Sequence, residues 1–137
     1  MAASLTLNSR GGITAGGALE SEPAVKPERW VNDAGDAAQA TLIIPADAKR
    51  ERRFEIACAM TVGLREADPE AWHQMTVSAN GIQQWQRRIP THNPGAFDGL
   101  DYRFSRSVPV GQMLRVLVTV VSGGGRRRSL VVEADEV

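Results

Sequence analysis

From Arg53 to Leu64 the chain alternates without a break. Phe54, Ile56, Cys58, Met60, Val62 and Leu64 fall on one side, and Arg53, Glu55, Ala57, Ala59, Thr61 and Gly63 on the other. Side chains of an extended strand point to opposite faces with period two, whereas a helix needs an apolar stripe every three or four residues. The run therefore predicts one long strand with a buried face. Its other face is small rather than charged, which predicts a further element lying close over it.

The same period recurs through the rest of the chain. Thr41-Leu42-Ile43-Ile44 is a short β-branched run stopped by Pro45. His73 to Ala79 and Ile82 to Ile89 flank Asn80-Gly81, a dipeptide suited to a type I′ hairpin because both central residues need positive φ. Two registers fit this hairpin. A two-residue loop pairs Ala79 with Ile82 and Val77 with Gln84; a three-residue loop pairs Val77 with Trp85 and requires a bulge. Thr91 to Gly99 reads as a loop around Asn93-Pro94-Gly95. Leu100, Tyr102 and Phe104 alternate with Asp101, Arg103 and Ser105; Met113 to Val121 alternates again; Ser122 to Gly125 turns the chain; Arg126 to Ala134 returns. No sustained helical stripe occurs. About seven strands with turns at roughly 8–12-residue spacing predict an all-β, antiparallel β-sandwich, immunoglobulin-like or jelly-roll, with little or no helix. A lone cysteine, Cys58, excludes an inter-sheet disulfide.

Residues 1–39 differ from this pattern. Gly11, Gly12, Gly16 and Gly17 flank small residues, Pro23 and Pro27 bracket a charged stretch, and Asn32 to Asp36 is polar. The segment reads as a flexible Gly/Pro/acidic stretch with at most one edge strand, hinted at by Leu5 and Leu7 and anchored by Trp30 and Val31. Residues 40–137 form the sandwich.

The formal net charge is zero. A nucleic-acid binder draws its affinity largely from neutralising phosphates, so this balance makes nucleic acid an unlikely partner. The charge is nonetheless uneven: −3 over residues 1–48, +6 over 49–128 and −3 over 129–137. Fourteen of the 16 basic residues are arginine, which fits a GC-rich, bacterial source and favours planar, bidentate contacts. No apolar run approaches the ~20 residues of a membrane span. Met1 to Gly17 lacks a basic region followed by an apolar stretch, so the expected compartment is the cytoplasm, with leaderless export leaving no mark in sequence.

Motifs for chemistry are sparse. One cysteine and two histidines leave too few soft ligands for a zinc site, and no metal or cofactor is expected. Asn32 to Asp36 has the composition of a calcium loop without its spacing, and turn chemistry explains it better. His92 lies six residues before Asp98, near Asp101; a small β-scaffold hydrolase would use these three, although no G-x-S-x-G elbow accompanies them. Cys58, set among Phe54, Ile56, Met60 and Val62, reads as core filler. Gly123-Gly124-Gly125 followed by Arg126, Arg127 and Arg128 is not a Walker loop; it reads as a hairpin tip that could contact an anion. Gln84, Trp85, Gln86, Arg87 and Arg88 place amides, an indole and guanidiniums on one strand, a set able to stack on and hydrogen-bond a ligand. The sequence thus predicts a non-enzymatic binding or interaction module with a protein or carbohydrate partner, contacting it through Trp85, Gln84, Gln86, Arg87, Arg88 and Arg126–Arg128. A carbohydrate-binding module is the first alternative and predicts two exposed tryptophans in one groove; the hydrolase is the second. A third, weaker option is an acidic partner held by Arg126–Arg128 with Arg87 and Arg88.

Overall fold

Residues 25–93 and 96–137 are described in a computed structural model of the chain. The expectations placed on Leu5, Leu7 and the glycines of residues 11–17 lie outside them, as does the Pro94-Gly95 tip. Eight strands follow in order: β1 (Arg29–Asp33), β2 (Gln39–Ile44), β3 (Arg52–Gly63), β4 (Trp72–Ala79), β5 (Ile82–Pro90), β6 (Phe97–Val108), β7 (Leu114–Gly123) and β8 (Arg126–Glu136). No helix occurs among the described residues. The all-β sandwich is present, with eight strands rather than seven.

Two four-stranded antiparallel sheets make the layers, in the orders β1-β8-β3-β6 and β2-β7-β4-β5. The pairing has a simple logic. β4 pairs β5, β3 pairs β6, β2 pairs β7 and β1 pairs β8. One long antiparallel hairpin, tipped by Asn80-Gly81, has been rolled so that alternate pairs fall in opposite sheets. This is the jelly-roll order, and it decides between the two sandwich types the sequence allows.

The core is the inward set of that alternation. Leu42 and Ile44 of β2, Phe54, Ile56 and Met60 of β3, Met75 and Val77 of β4, Val116 and Val118 of β7, and Leu130 and Val132 of β8 are all buried. Each such side chain contributes ~1.5–3 kcal/mol on leaving water, which offsets the entropy of ordering the strands. Cys58 is buried among them, and desolvation pushes its thiol up to about 12. The outward face of β3 carries no covering layer among the described residues. Ala59 is exposed, and Thr61 shares a hydroxyl hydrogen bond of 2.6 Å with Ser129 of β8.

β1 is the added strand, at one edge of its sheet. The inward positions of β1 and of the residues flanking it run Glu28, Trp30, Asn32 and Ala34, all buried. Two of the four are polar, so the alternation of hydrophobicity is hidden in sequence. Both find partners. Asn32 Nδ2 donates to the Thr41 carbonyl at 2.8 Å, linking β1 to β2 across the sheets. Glu28 accepts from Arg52 at 2.7 Å, from Arg50 at 3.0 Å and from Trp30 Nε1 at 3.1 Å. Arg50 also reaches Glu136 near the end of β8 at 2.7 Å. This network ties β1, the approach to β3 and the end of β8 together, and Arg50 holds the Glu136 carboxyl below the usual range.

At the hairpin tip both sequence registers contribute. Asn80 and Gly81 take φ of 48° and 82°, and Ala79 pairs with Ile82, as in a two-residue type I′ turn. A bulge at Gln84 then shifts the register, so Val77 pairs with Trp85.

Candidate functional site: an arginine-lined cleft

Antiparallel pairing of β3 with β8 brings the end of one strand against the start of the other. Gly63 lies opposite Arg126, and Val62 opposite Arg127. The next pair is Thr61 with Ser129, so Arg128 is the extra residue of a bulge. Bulges re-aim side chains, and here the guanidinium of Arg128 lies 5.0 Å over the ring of Phe97, itself largely exposed at the start of β6. The β3–β4 connection, from Leu64 onward, folds beside the β7–β8 turn. Together they enclose a cleft of about 460 Å³ lined by Gly63, Leu64, Arg65, Gly124, Gly125, Arg126 and Arg128.

Three arginines therefore line one concavity, and no carboxylate among the described residues lines it. Arg65 and Arg126 are exposed and make no ion pair or hydrogen bond among the described residues. An adjoining cleft of about 510 Å³ shares Arg65 and Gly124 but adds Glu66 and Asp68. The carboxylates thus line the second cleft and not the first, with Asp68 Oδ2 lying close to the shared Gly124. Arg65 stands alone in its loop, and nothing in its neighbourhood of sequence marks it; only the β3–β8 pairing joins it to Arg126 and Arg128.

The residues singled out from sequence are dispersed. Of the Arg126–Arg128 run, Arg127 turns away, its Nε donating to the Asp36 carbonyl at 3.0 Å. Trp85 is half-buried against the core and stacks on Tyr102 of the other sheet, with centroids 4.7 Å apart and planes 9° from parallel. Gln84 is the bulge residue and donates to the Ile82 carbonyl; Gln86 accepts from Thr76. Arg87, opposite Met75, is exposed. Arg88 donates to Gln74 at 3.1 Å and lies 3.7 Å over the ring of Trp72. Trp72 in turn packs on Gly123, where a Cβ would fall 2.3 Å from its Nε1. Trp30 is buried and Trp72 and Trp85 are half-buried, so no two tryptophans stand open in one groove.

The backbone N–H of His92 donates to Asp98 Oδ2 at 3.3 Å, and the other oxygen of Asp98 accepts from Gly99. This is a loop closure. The His92 ring makes no hydrogen bond or ion pair among the described residues, and Asp101 is exposed opposite Ala59. The other histidine, His73, is fully buried, with Nδ1 2.6 Å from Thr91 Oγ1 and Nε2 3.4 Å from the Gly99 carbonyl. The Asn32–Asp36 stretch is the end of β1 and the turn that follows it, in which Asp33 Oδ1 accepts from Gly35, whose φ is +60°. Among the described residues no three His, Cys, Asp or Glu side chains gather as metal ligands, and no helix is long and apolar enough to cross a membrane.

No protein-family model matches the chain, and no curated protein matches it. Among solved structures, a crystal structure of dimeric latent PorU from Porphyromonas gingivalis overlaps 96% of the chain at a TM-score of 0.51, with 14% identity. The chain spans only 14% of the length of that protein. A structure of infectious bursal disease virus, Gx strain, overlaps 96% of the chain and 38% of its own at a TM-score of 0.33 and 13% identity, too slight to bear on the fold. The first similarity is one of fold alone: a two-sheet sandwich.

Proposed function

We propose that this chain is a non-enzymatic recognition module that holds an acidic partner protein through the cleft between the β3–β4 connection and the β7–β8 turn. One observation carries the reading: Arg65, Arg126 and Arg128 line a single cleft with no carboxylate among the described residues that line it, and the side chains of Arg65 and Arg126 have no hydrogen-bond or ion-pair partner among the described residues. Guanidinium groups bind carboxylates in bidentate fashion, so an unpaired set in one concavity suits side-chain or terminal carboxylates. Local charge on a chain of zero net charge favours an acidic peptide segment over a long polyanion, which would also meet Glu66 and Asp68. The contact surface is therefore narrower than the sequence suggests: Arg126 and Arg128 with Arg65, without Trp85, Gln84 or Gln86.

The test is calorimetric titration with an oligo-glutamate peptide and a matched oligo-glutamine control. Binding of the acidic peptide alone, weakening steeply with salt, is expected, because exposed charge pairs are screened within ~10 Å at 0.1 M salt. Arg65→Ala with Arg126→Ala should lose that binding while the far-UV spectrum stays unchanged. Equal binding of both peptides, or an unaffected double variant, removes the proposal.

A further inference from the structure

Four strands end the two sheets: β1 and β6 in one, β2 and β5 in the other. An edge strand presents unpaired N–H and C=O groups, and proteins blunt such edges by shortness, proline, bulges, charged side chains or cover. Three of the four are blunted. β1 has five residues and meets β2 through Asn32 and Thr41; β2 has six and stops at Pro45; β5 carries the Gln84 bulge and ends on Pro90. β6 is neither short, bulged nor covered by a described strand, and its one device is charge: Asp98, Asp101, Arg103 and Arg106. It runs twelve residues from Phe97 to Val108 without proline, and pairs β3 at every position without a register shift. No described strand lies on its other side.

The charges along this bare edge have a particular order. Reading outward from Tyr102, Asp101 is mirrored by Arg103, Leu100 by Phe104 and Asp98 by Arg106. Each acid on one side answers a base at equal distance on the other. Such a pattern is self-complementary under a two-fold axis, because antiparallel pairing of a strand with its own copy sets each residue against its mirror position. Asp101 and Arg106 make no ion pair or hydrogen bond among the described residues, and Arg103 reaches only Glu55, at 3.5 Å on the surface.

We infer that two copies of this chain associate through β6, antiparallel about Tyr102, joining two four-stranded sheets into one continuous sheet of eight. In this register Asp101 faces Arg103 of the second copy, twice over, and Asp98 faces Arg106 twice. Tyr102 meets Tyr102, and Leu100 meets Phe104. Sliding by two residues in either direction sets Asp101 against Asp101 or Arg103 against Arg103, and like charges directly opposite are destabilising. A slide by one residue turns the buried face outward. The charges thus select one register. The half-buried row of Trp85, Tyr102 and Phe104, stacked beneath this edge with centroid spacings of 4.7 and 5.5 Å, gains cover from the second copy.

Sedimentation velocity on the full chain across micromolar to near-millimolar concentration tests this. The unaltered chain should form a reversible dimer. Asp101→Arg alone and Arg103→Asp alone each place like charges across the axis twice and should weaken association about tenfold or more. The double variant Asp101→Arg/Arg103→Asp should recover the dimer, and an equimolar mixture of the two single variants should form a heterodimer that neither forms with itself. Far-UV spectra of all variants report the fold. Three results overturn the inference: an unaltered chain that stays monomeric, whatever else occupies the edge; a dimer indifferent to the single reversals; or native-like single variants whose mixture does not associate.

Discussion

Replacing Glu28 by alanine should be among the most damaging single changes in the chain. Its carboxylate is 1% exposed and lies 2.7 Å from Arg52, whose side chain is 2% exposed. Truncation leaves the Arg52 guanidinium buried, with the Pro45 carbonyl at 2.6 Å as its remaining hydrogen-bond acceptor. Trp30 Nε1 loses its acceptor as well, whereas Arg50 keeps Glu136. Removing one partner of a buried ion pair costs ~3–5 kcal/mol, since the stranded charge is not rehydrated. Against a total stability of ~5–15 kcal/mol this is a large fraction. The thermal midpoint should fall by roughly 10–20 °C for a chain this long. Urea unfolding followed by both tryptophan fluorescence and far-UV circular dichroism measures it. Two probes are needed because Trp30 reports its own loss locally. The reasoning also predicts an asymmetry: Glu28→Leu combined with Arg52→Met removes both charges and should cost less than Glu28→Ala alone. A single variant that loses under about 1 kcal/mol, as an exposed pair would, refutes the account. So does a double variant that costs the sum of its parts.

Two further outcomes follow from titrating groups. Glu136 is held below the usual carboxylate range chiefly by its hydrogen bond from Arg50, so its contribution is present above the unfolded value of ~4.3 and is lost as pH falls through the folded value. Glu136→Gln should therefore lower stability at neutral pH and flatten the loss below about pH 4.5, read from urea midpoints against pH. The Cys58 thiol, pushed up to about 12 by burial, should resist a thiol reagent at mildly alkaline pH until the sandwich opens; labelling that keeps pace with a small free thiol would contradict its burial.

Strands β2 to β8 were legible because most of them bury apolar residues at alternate positions and each borders a turn signal, with β5 marked chiefly by the Asn80-Gly81 turn before it. β1 was hidden for a physical reason. A buried strand can give inward polar residues partners from elsewhere in the fold: Glu28 pairs with the buried Arg52, and the Asn32 amide donates to the Thr41 carbonyl. Those partners lie 24 and 9 positions away in the chain, beyond any local pattern. The Asn80-Gly81 hairpin shows a subtler limit. The dipeptide names the turn type correctly, but the bulge three residues later answers to packing: it lets Trp85 sit against Val77 and reach Tyr102 in the opposite sheet.

The candidate site was harder to read than the fold, and the jelly-roll winding explains why. Periodicity reports which face of a strand is buried, and that is decided within one strand. A site at the end of a sandwich is decided by which turns meet there, and that depends on pairing between strands far apart in the chain. Arg126 and Arg128 drew notice because they form a run with Arg127. Alternation and a bulge then send Arg127 to Asp36 and Arg128 to Phe97, so the run does not present one surface. The proposed unit is Arg65 with Arg126 and Arg128, which line one cleft because β3 leaves the sheet where β8 enters it. The charge order along β6 is the opposite case. It lies wholly within one strand and is visible in sequence, yet acquires meaning only once that strand is known to end its sheet. In a rolled hairpin the exposed edges and the turn clusters are products of the winding, so a residue's chemistry becomes a contact only where the winding gives it neighbours or leaves it without any.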